Sequence, residues 1–323
     1  MPVHIKIATT AAEHDALFRL RHRVFVEHGG YLPPRPDGRL FDRYDAFPTT
    51  TNLLAIQNDE VIGGLRLAEP CAVGTPADDY FDYRAVLPPS ESHVGSASML
   101  CIERSQRGHQ RVTRCLIGMF YCLAVQRGWS HVLAPCNPEM EAVMLDSGYR
   151  RAAPIFQHQS GVAVSPLVLE LAQLEERMVR FVRIHSQELP WRSLERAFFR
   201  SGELVQRAGE PGRAVYIVLD GVAHVTPNRR SAEGAPCLQV GDMFGELPLM
   251  TGRPAADTVV AGSELDLMVL DAHRFRDQLC VSPERTLALF QNLCGRLMDA
   301  IAHAPAALSE QFDGGWPLAR ALG

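Results

Sequence analysis

Near Gly202 the chain changes its apolar rhythm, and that change limits the folds open to it more than any other feature. Before Gly202, several stretches repeat apolar residues at helical spacing, with strand-like runs between them. After it come short apolar runs separated by glycine-containing turns. Periods of 3.6 and 2 place side chains on different faces, so the two halves call for different architectures. The 323 residues are also too many for one ordinary core. The expected class is α+β in two domains: strands with helices between them in the first, and short strands joined by turns in the second. The expected boundaries are 1–172 for the first domain, 173–194 for a helical connector, 195–303 for the second domain and 304–323 for a tail.

In the first half, HIKIATT alternates as a strand, and Thr9 or Thr10 can cap the helix that follows. AAEHDALFRLRHRVFVEH places Leu17, Leu20, Val24 and Phe25 on one helical face, and Gly29-Gly30 ends it. A loop with Pro33, Pro34, Pro36 and Gly38 can be neither helix nor central strand, and Asp42 and Asp45 lie at its end. TNLLAIQ and EVIGGLRLAEP read as a hairpin turning at Asn58-Asp59. SASMLCIERSQRGHQ is a strand running into a turn. VTRCLIGMFYCLAVQRG is an amphipathic helix stopped by Gly128. WSHVLAPC is a strand, PEMEAVMLDSG a short helix with Gly148 at its C-terminal end, and VAVSPLVLEL a last strand. The expected order is β-α-β-β-β-α-β-α-β.

LAQLEERMVRFVRIHSQELPWRSLERAFFR keeps helical spacing with a break at Pro190, and reads as a connector helix followed by a second short helix. Phe198 and Phe199 are expected to pack on the barrel beyond it. SPERTLALFQNLCGRLMDAIAHA is a long amphipathic helix with Leu287, Leu289, Phe290, Leu293 and Leu297. Its apolar stripe exceeds what one small barrel needs, so a homodimer through this helix is expected.

Charge excludes several classes. The net charge is -5, with 16 basic and 18 acidic residues in 1–172 and 16 against 19 in 173–323. Neither half has the basic excess of a nucleic-acid binder. Only one of the 32 basic residues is lysine, Lys6, which leaves almost no lysine for self-acetylation. No apolar run reaches the length of a membrane span, and the N-terminus has no signal pattern. The eight cysteines form no CxxC pair and no zinc spacing, so they read as reduced thiols of a cytoplasmic protein with no metal site.

The order of elements and the phrases of residues 5–172 resemble the GNAT-like acyltransferases, within them the branch of acyl-homoserine-lactone synthases and N-acyl amino acid synthases. The matching positions are Arg21, Phe25 and Tyr31 in the first helix and loop, Asp42 and Asp45 at the loop's end, and Arg66 in LRLAEP. The resemblance implies that these six residues clamp a mobile N-terminal lobe and shape the amine and acyl sites. It implies transfer of a fatty acyl group from the phosphopantetheine thioester of an acyl carrier protein to a small-molecule amine, with no other cofactor required. Taken on their own, Arg21, Asp42, Asp45 and Arg66 read equally as a structural ion-pair network, and Phe25 and Tyr31 as core. Two positions depart from the family, whose usual Glu and Arg fall on Ser96 and Met99. A serine cannot accept the amine proton near neutral pH. RGHQRV has Gln110 and Val112 where small residues would let the backbone approach a pyrophosphate, which argues against acetyl-CoA as donor.

Residues of about 195–303 resemble the cyclic nucleotide-binding domains, which implies an eight-stranded β-roll of jelly-roll type with flanking helices, after the mixed sheet with flanking helices that the first resemblance implies. The resemblance lies in GELVQRAGEPGRAVYIVLDGVAHVTPN and in the cassette VGDMFGELPLMTGRPAADTVVA. It implies a phosphate seat at Gly245, Glu246 and Leu247, where helix N–H groups meet an anion and the Glu carboxylate meets a ribose hydroxyl. The family's Arg position falls on Ala255, Asp257 follows it, and Arg253 is two residues early. Loss of one charge-assisted pair weakens binding by roughly one to three powers of ten. The barrel therefore reads as architecture, as a seat for an unusual ligand, or as a weakened cyclic-nucleotide effector site with Arg253 substituting. The twenty residues after 303 are too few for a DNA-reading module, so a transcription factor is not expected. The leading function is an acyltransferase regulated or scaffolded by the barrel. The alternatives are a non-catalytic ligand-sensing or scaffold protein that kept both folds, and a cyclic-AMP-regulated acetyltransferase.

Overall fold

The computed structural model describes residues 2–30, 32–87, 93–106, 111–173, 195–227, 237–273, 275–276, 287 and 290–291. Residues Met1–Leu270 form one compact unit and Asp271–Gly323 a second. The long C-terminal helix, the connector and the tail expected from the sequence fall almost wholly outside the described residues. Among the described residues no helix is long and apolar enough to cross a membrane.

The chain begins with β1 (Val3–Ile7), α1 (Ala11–His22), β2 (Thr50–Gln57), β3 (Glu60–Ala68) and β4 (Val94–Ile102). It continues with α2 (Arg111–Gln126), β5 (His131–Cys136), α3 (Glu141–Asp146), β6 (Arg150–Arg151), β7 (Phe156–Gln157) and β8 (Ala163–Glu170). This is the expected order with two short strands, β6 and β7, added before the last one. Thr10 is the cap of α1: its hydroxyl accepts from the Glu13 N–H, and the Glu13 carboxylate accepts from the Thr10 N–H in return. Lys6 also donates to Glu13 at 2.6 Å, tying β1 to the helix start. Burial pushes the Glu13 carboxyl up, but Lys6 and the Thr9 and Thr10 N–H groups win and bring it down to about 2. Beyond His22 the helix widens into π-type turns over Arg23–His28.

The hairpin turns where expected, with Asn58 and Asp59 both at positive φ, the backbone a two-residue turn requires. β1, β2, β3 and β4 pair antiparallel in sequence, and β5 joins β4 in parallel. A parallel neighbour needs a crossover, which α2 supplies. Nine of its residues are buried, among them Val112, Leu116, Met119, Phe120 and Leu123. On the α1 side, Leu17, Leu20 and Val24 pack with Leu54 and Cys101.

The second half supplies β9 (Glu195–Phe199), β10 (Leu204–Gln206), β11 (Ala214–Asp220), β12 (Ala223–Pro227), β13 (Cys237–Leu238) and β14 (Met243–Phe244). Then come α4 (Glu246–Thr251), β15 (Asp257–Ala261) and β16 (Leu265–Asp271). Eight strands thus build the roll, around Phe199, Val218, Phe244, Val259, Leu265 and Leu267. Gly221 turns one hairpin at φ 86°, where a Cβ would lie 2.1 Å from the Glu264 carbonyl oxygen. Only glycine fits that approach.

One expectation fails. ERAFF, read as the end of a helix, is strand β9. It pairs antiparallel with β1 on one side and with β16 on the other. The large sheet therefore runs β14-β11-β16-β9-β1-β2-β3-β4-β5-β8-β6, and β10-β15-β12-β13 form the other wall of the roll. β1 would be an open sheet edge without β9, and pairing that edge outweighs the local helical spacing.

Gly95 in β4 lies under Trp129, and an added Cβ would sit 2.2 Å from the indole ring. Gly95→Ala is expected to lower stability by about 1–3 kcal/mol in denaturant unfolding. Gly118→Ala, in α2 with no neighbour nearer than 4.0 Å, is expected to raise it by up to about 1 kcal/mol.

Candidate functional site

Arg21 falls four residues after Leu17 on the buried face of α1, so its charge must find a partner inside the protein. Asp45 supplies it from the short helical turn Arg43–Ala46, which Asp42 caps by accepting from the Tyr44 N–H. Arg21 Nη1 donates to Asp45 Oδ1 at 2.9 Å and Nη2 to Asn52 Oδ1 of β2 at 2.5 Å. Arg66, on β3, donates from Nη1 to Asp42 Oδ1 at 2.7 Å and to Asp45 Oδ2 at 3.1 Å. Its Nε donates to Ser98 Oγ of β4 at 3.0 Å. Both guanidiniums are buried, and the Asp45 side chain is 4% exposed. Burial pushes the Asp45 carboxyl up, but the Arg21 and Arg66 guanidiniums outweigh it and hold the carboxyl below the ordinary carboxylate range.

Asp42 is the member that meets solvent, with its side chain 35% exposed. It lies with Asp45, Phe18, Arg35, Phe41, Arg43 and Ala46 around a concavity of about 420 Å³. The Phe18 and Phe41 rings stand 5.4 Å apart, and the Arg35 guanidinium lies 5.2 Å from the centre of Phe41. One depression thus offers carboxylate, guanidinium and apolar ring surface. On its flank Tyr44 donates to Asp79 at 2.8 Å, and Arg43 donates to the same carboxylate at 2.6 Å.

The expected set is only partly assembled. Arg21, Asp42, Asp45 and Arg66 come together. Phe25 does not join them; it packs half-buried against the core of α1 and β2. Tyr31 lies outside the described residues. Asn52, Ser98, Tyr44 and Asp79 belong to the cluster but were not singled out from sequence. Asn52 and Ser98 are polar residues within apolar strands, a signal that was available.

β4 and β5 pair only from Val94–His131 to Ser96–Leu133, although β4 runs on to Ile102 and β5 to Cys136. Beyond Ser96 the two strands no longer pair, which leaves backbone donors and acceptors on both facing edges. Met99 stands at φ 55° where the β3–β4 register slips: Gly64 faces Cys101 and Arg66 faces Ser98. Two residues of β4 oppose one of β3, a bulge that re-aims the strand. Ser96 is buried, with its Oγ unpartnered. Tyr149 and His131 are buried by packing. The turn 107–110 lies outside the described residues.

In the roll, Gly245 at φ 84° precedes α4, and a Cβ there would lie 2.6 Å from the Ala214 carbonyl oxygen. Glu246 is fully buried, whereas Leu247 is exposed. Ala255 is buried, with its N–H donating to the Glu210 carbonyl and its own carbonyl accepting from the Gly209 N–H. Arg253 is exposed in the turn after α4. The sequence positions Gly245, Glu246 and Leu247 do open a helix, and the residue in the expected arginine place is an apolar one built into the backbone pairing.

Two family models match. Residues 16–170 match that of the N-acyl amino acid synthase FeeM, and residues 196–280 that of the cyclic nucleotide-binding domain. The chain joins an N-acyl amino acid synthase-like region to a cyclic nucleotide-binding-like one, in the mixed α+β class expected. Among solved structures, FeeM from uncultured soil microbes is similar at 15% identity and TM-score 0.46, over 54% of this chain and 93% of that one. The CoA-dependent acyl-homoserine lactone synthase BjaI is similar at 20% identity and TM-score 0.43, over 57% and 90%. The catabolite activator protein of Thermus thermophilus is similar at 22% and 0.31, over 33% of this chain and 52% of its own. These are distant likenesses.

Asp45→Asn would leave the buried Arg21 guanidinium without its carboxylate and Arg66 with Asp42 alone, and is expected to destabilise the protein by about 3–5 kcal/mol in denaturant unfolding. The pH dependence follows from the sign of the shift. A carboxyl depressed in the folded state stabilises fully above its unfolded value of about 3.9 and loses that contribution as pH falls through the folded value. The wild type should therefore lose stability below about pH 4, and Asp45→Asn should lose less over the same interval.

Proposed function

We propose that residues 16–170 transfer an acyl group from a thioester to the amine of a small acceptor of amino-acid type. The observation that carries the reading is the buried Arg21–Asp45–Arg66–Asp42 cluster with one carboxylate open to a concavity. Asp42 would receive the acceptor's ammonium, Arg35 or Arg43 a carboxylate, and Phe18 and Phe41 an apolar side chain. The separated edges of β4 and β5 would take the extended, amide-bearing arm that carries the thioester, by the hydrogen bonding of an added strand. In the reaction the acceptor nitrogen loses a proton and attacks the thioester carbonyl. A C–N bond forms, the C–S bond breaks, and the thiolate leaves with a proton as the free thiol.

The donor we favour is an acyl carrier protein, with the roll acting as a scaffold or regulatory module. The protein would work in the cytoplasm, in keeping with six described cysteines that are all free thiols. A homodimer through the C-terminal helix is part of the proposal, motivated by exposed Leu287 and Phe290.

A second reading is favoured by one observation. Ser96 is fully buried at the position where the resemblance expects a proton-accepting Glu, and Met99 and Ala255 replace two expected arginines. On that reading the protein binds without turnover.

The test is incubation of full-length protein with long-chain acyl carrier protein, and in parallel with the matching acyl-CoA, against a panel of amino acids and other amines. An N-acyl product by mass spectrometry is expected, with Asp42→Asn raising the acceptor KM about tenfold or more. No product with either donor, with or without cyclic AMP, contradicts the proposal. Calorimetric binding of donor without product would support the second reading.

A further inference from the structure

β9 belongs to two structures at once. Its five residues complete the roll by pairing with β16 from Glu195–Val269 to Phe199–Leu265. Four of them also extend the acyltransferase-like sheet, pairing with β1 from Val3–Phe198 to Lys6–Glu195. A strand hydrogen-bonded on both edges cannot slide along one neighbour without breaking its ladder to the other.

Arg196 adds a side-chain link at the centre of this strand. Its Nε donates to Asp266 Oδ1 of β16 at 3.0 Å, and Nη2 donates to Oδ2 of the same carboxylate, a two-pronged pair. Its Nη1 donates to Cys122 Sγ of α2 at 3.3 Å. The residue is 6% exposed and its guanidinium lies 5.0 Å from the centre of the Phe198 ring. One turn earlier on α2, a Cβ on Gly118 would stand 4.0 Å from Arg196 Nη1, so the guanidinium lies along this face of the helix. At the head of α2, Arg111 donates to the Phe198 carbonyl at 2.6 Å and pairs with Glu203 at 3.6 Å. The helix is thus fastened to β9 along its length. Its other side packs on strand β3: Val112 and Leu116 lie 3.0 Å and 3.2 Å from where a Cβ on Gly63 would stand. β3 carries Arg66 and pairs with the bulged β4.

We propose that β9, through Arg196, is a coupling element: a rearrangement of β16 in the roll is carried by the guanidinium to α2, and by α2 to strands β3 and β4 beside the candidate acyl-transfer site. The guanidinium holds the Asp266 carboxylate with two of its nitrogens and reaches α2 with the third. A shift of Asp266 must therefore be followed or the pair lost. The route names how an occupant of the roll would reach the first module. It is a property of the packing and holds whether or not residues 16–170 catalyse acyl transfer, so its test reads backbone amides rather than product.

Hydrogen exchange of the full-length protein is measured for Asp266→Asn, for Cys122→Ala and for the control Arg200→Gln, whose side chain is exposed. Asp266→Asn is expected to speed exchange of α2 and β1 amides about tenfold or more, with β5 and β8 unchanged. Coupling is reciprocal, so Cys122→Ala, perturbing the other end, is expected to speed exchange in β16 and β9. Cys122→Ser, which keeps an acceptor, should stay near wild type, as should the control. Changes confined to the strand or helix that carries each substitution would overturn the proposal. So would an equal rise throughout β5 and β8, which marks general loosening rather than a route. Should Asp266→Asn not fold, the Cys122 pair decides alone by the same criteria.

Discussion

Two arginines sit in the dry interior of the first module, and one aspartate makes that tolerable. Arg21 and Arg66 come from a helix and a strand 45 residues apart, and neither could be buried without a charged partner. Asp45 offers one oxygen to each. That geometry folds the loop after α1 back onto the sheet, because Asp45 can reach both guanidiniums only if the turn Arg43–Ala46 lies over β2 and β3. The concavity is a consequence. The turn gives Arg43, Asp45 and Ala46 to its lining, the loop before it Arg35, Phe41 and Asp42, and α1 gives Phe18. A site built on a loop would otherwise be loose; here the loop is held by buried charge and the exposed carboxylate of Asp42 is aimed by its bond to Arg66.

The second constraint is an edge. A sheet that began at β1 would present unpaired backbone to solvent, and the roll supplies the strand that covers it. The two modules therefore do not behave as beads on a linker. Strands of both modules share the large sheet, and Met1–Leu270 form one compact unit. The degenerate cassette takes on a different meaning in this setting. Ala255 is built into backbone pairing at the place where the resemblance expects an arginine, and the roll still covers the edge of the first module's sheet through β9. Architecture alone is thus a sufficient reason for the roll to persist, and any occupant it holds acts on a sheet common to both halves.

Much of this was legible in the sequence, for identifiable reasons. α1 and α2 declare themselves by helical spacing and by glycines at their ends, and Asn58-Asp59 marks a hairpin that the structure turns at that point. Arg21 on an apolar helix face signals a buried charge, and the acidic pair 42 and 45 was the natural partner. β9 was not legible. ERAFF continues the helical spacing before it, and only pairing with β1 and β16, two strands distant in sequence, makes it a strand. The loss of pairing between β4 and β5 beyond Ser96, and the bulge at Met99, leave no trace in residue type either, since both are relations between strands. Phe25 stayed open for a simpler reason: an aromatic on a buried helix face has the same pattern whether it lines a site or fills a core, and the structure packs it on the core.

The clamp depends on the charge state of one buried group. A carbon-detected NMR titration of the Asp45 carboxyl, with Asp45→Asn to assign the signal, tests it most directly. The folded-state midpoint is expected below the ordinary aspartate value of about 3.9, so that the carboxylate is ionised at neutral pH between its two guanidiniums. A midpoint above that value would mean that burial outweighs the arginines, and the clamp that shapes the site would not exist.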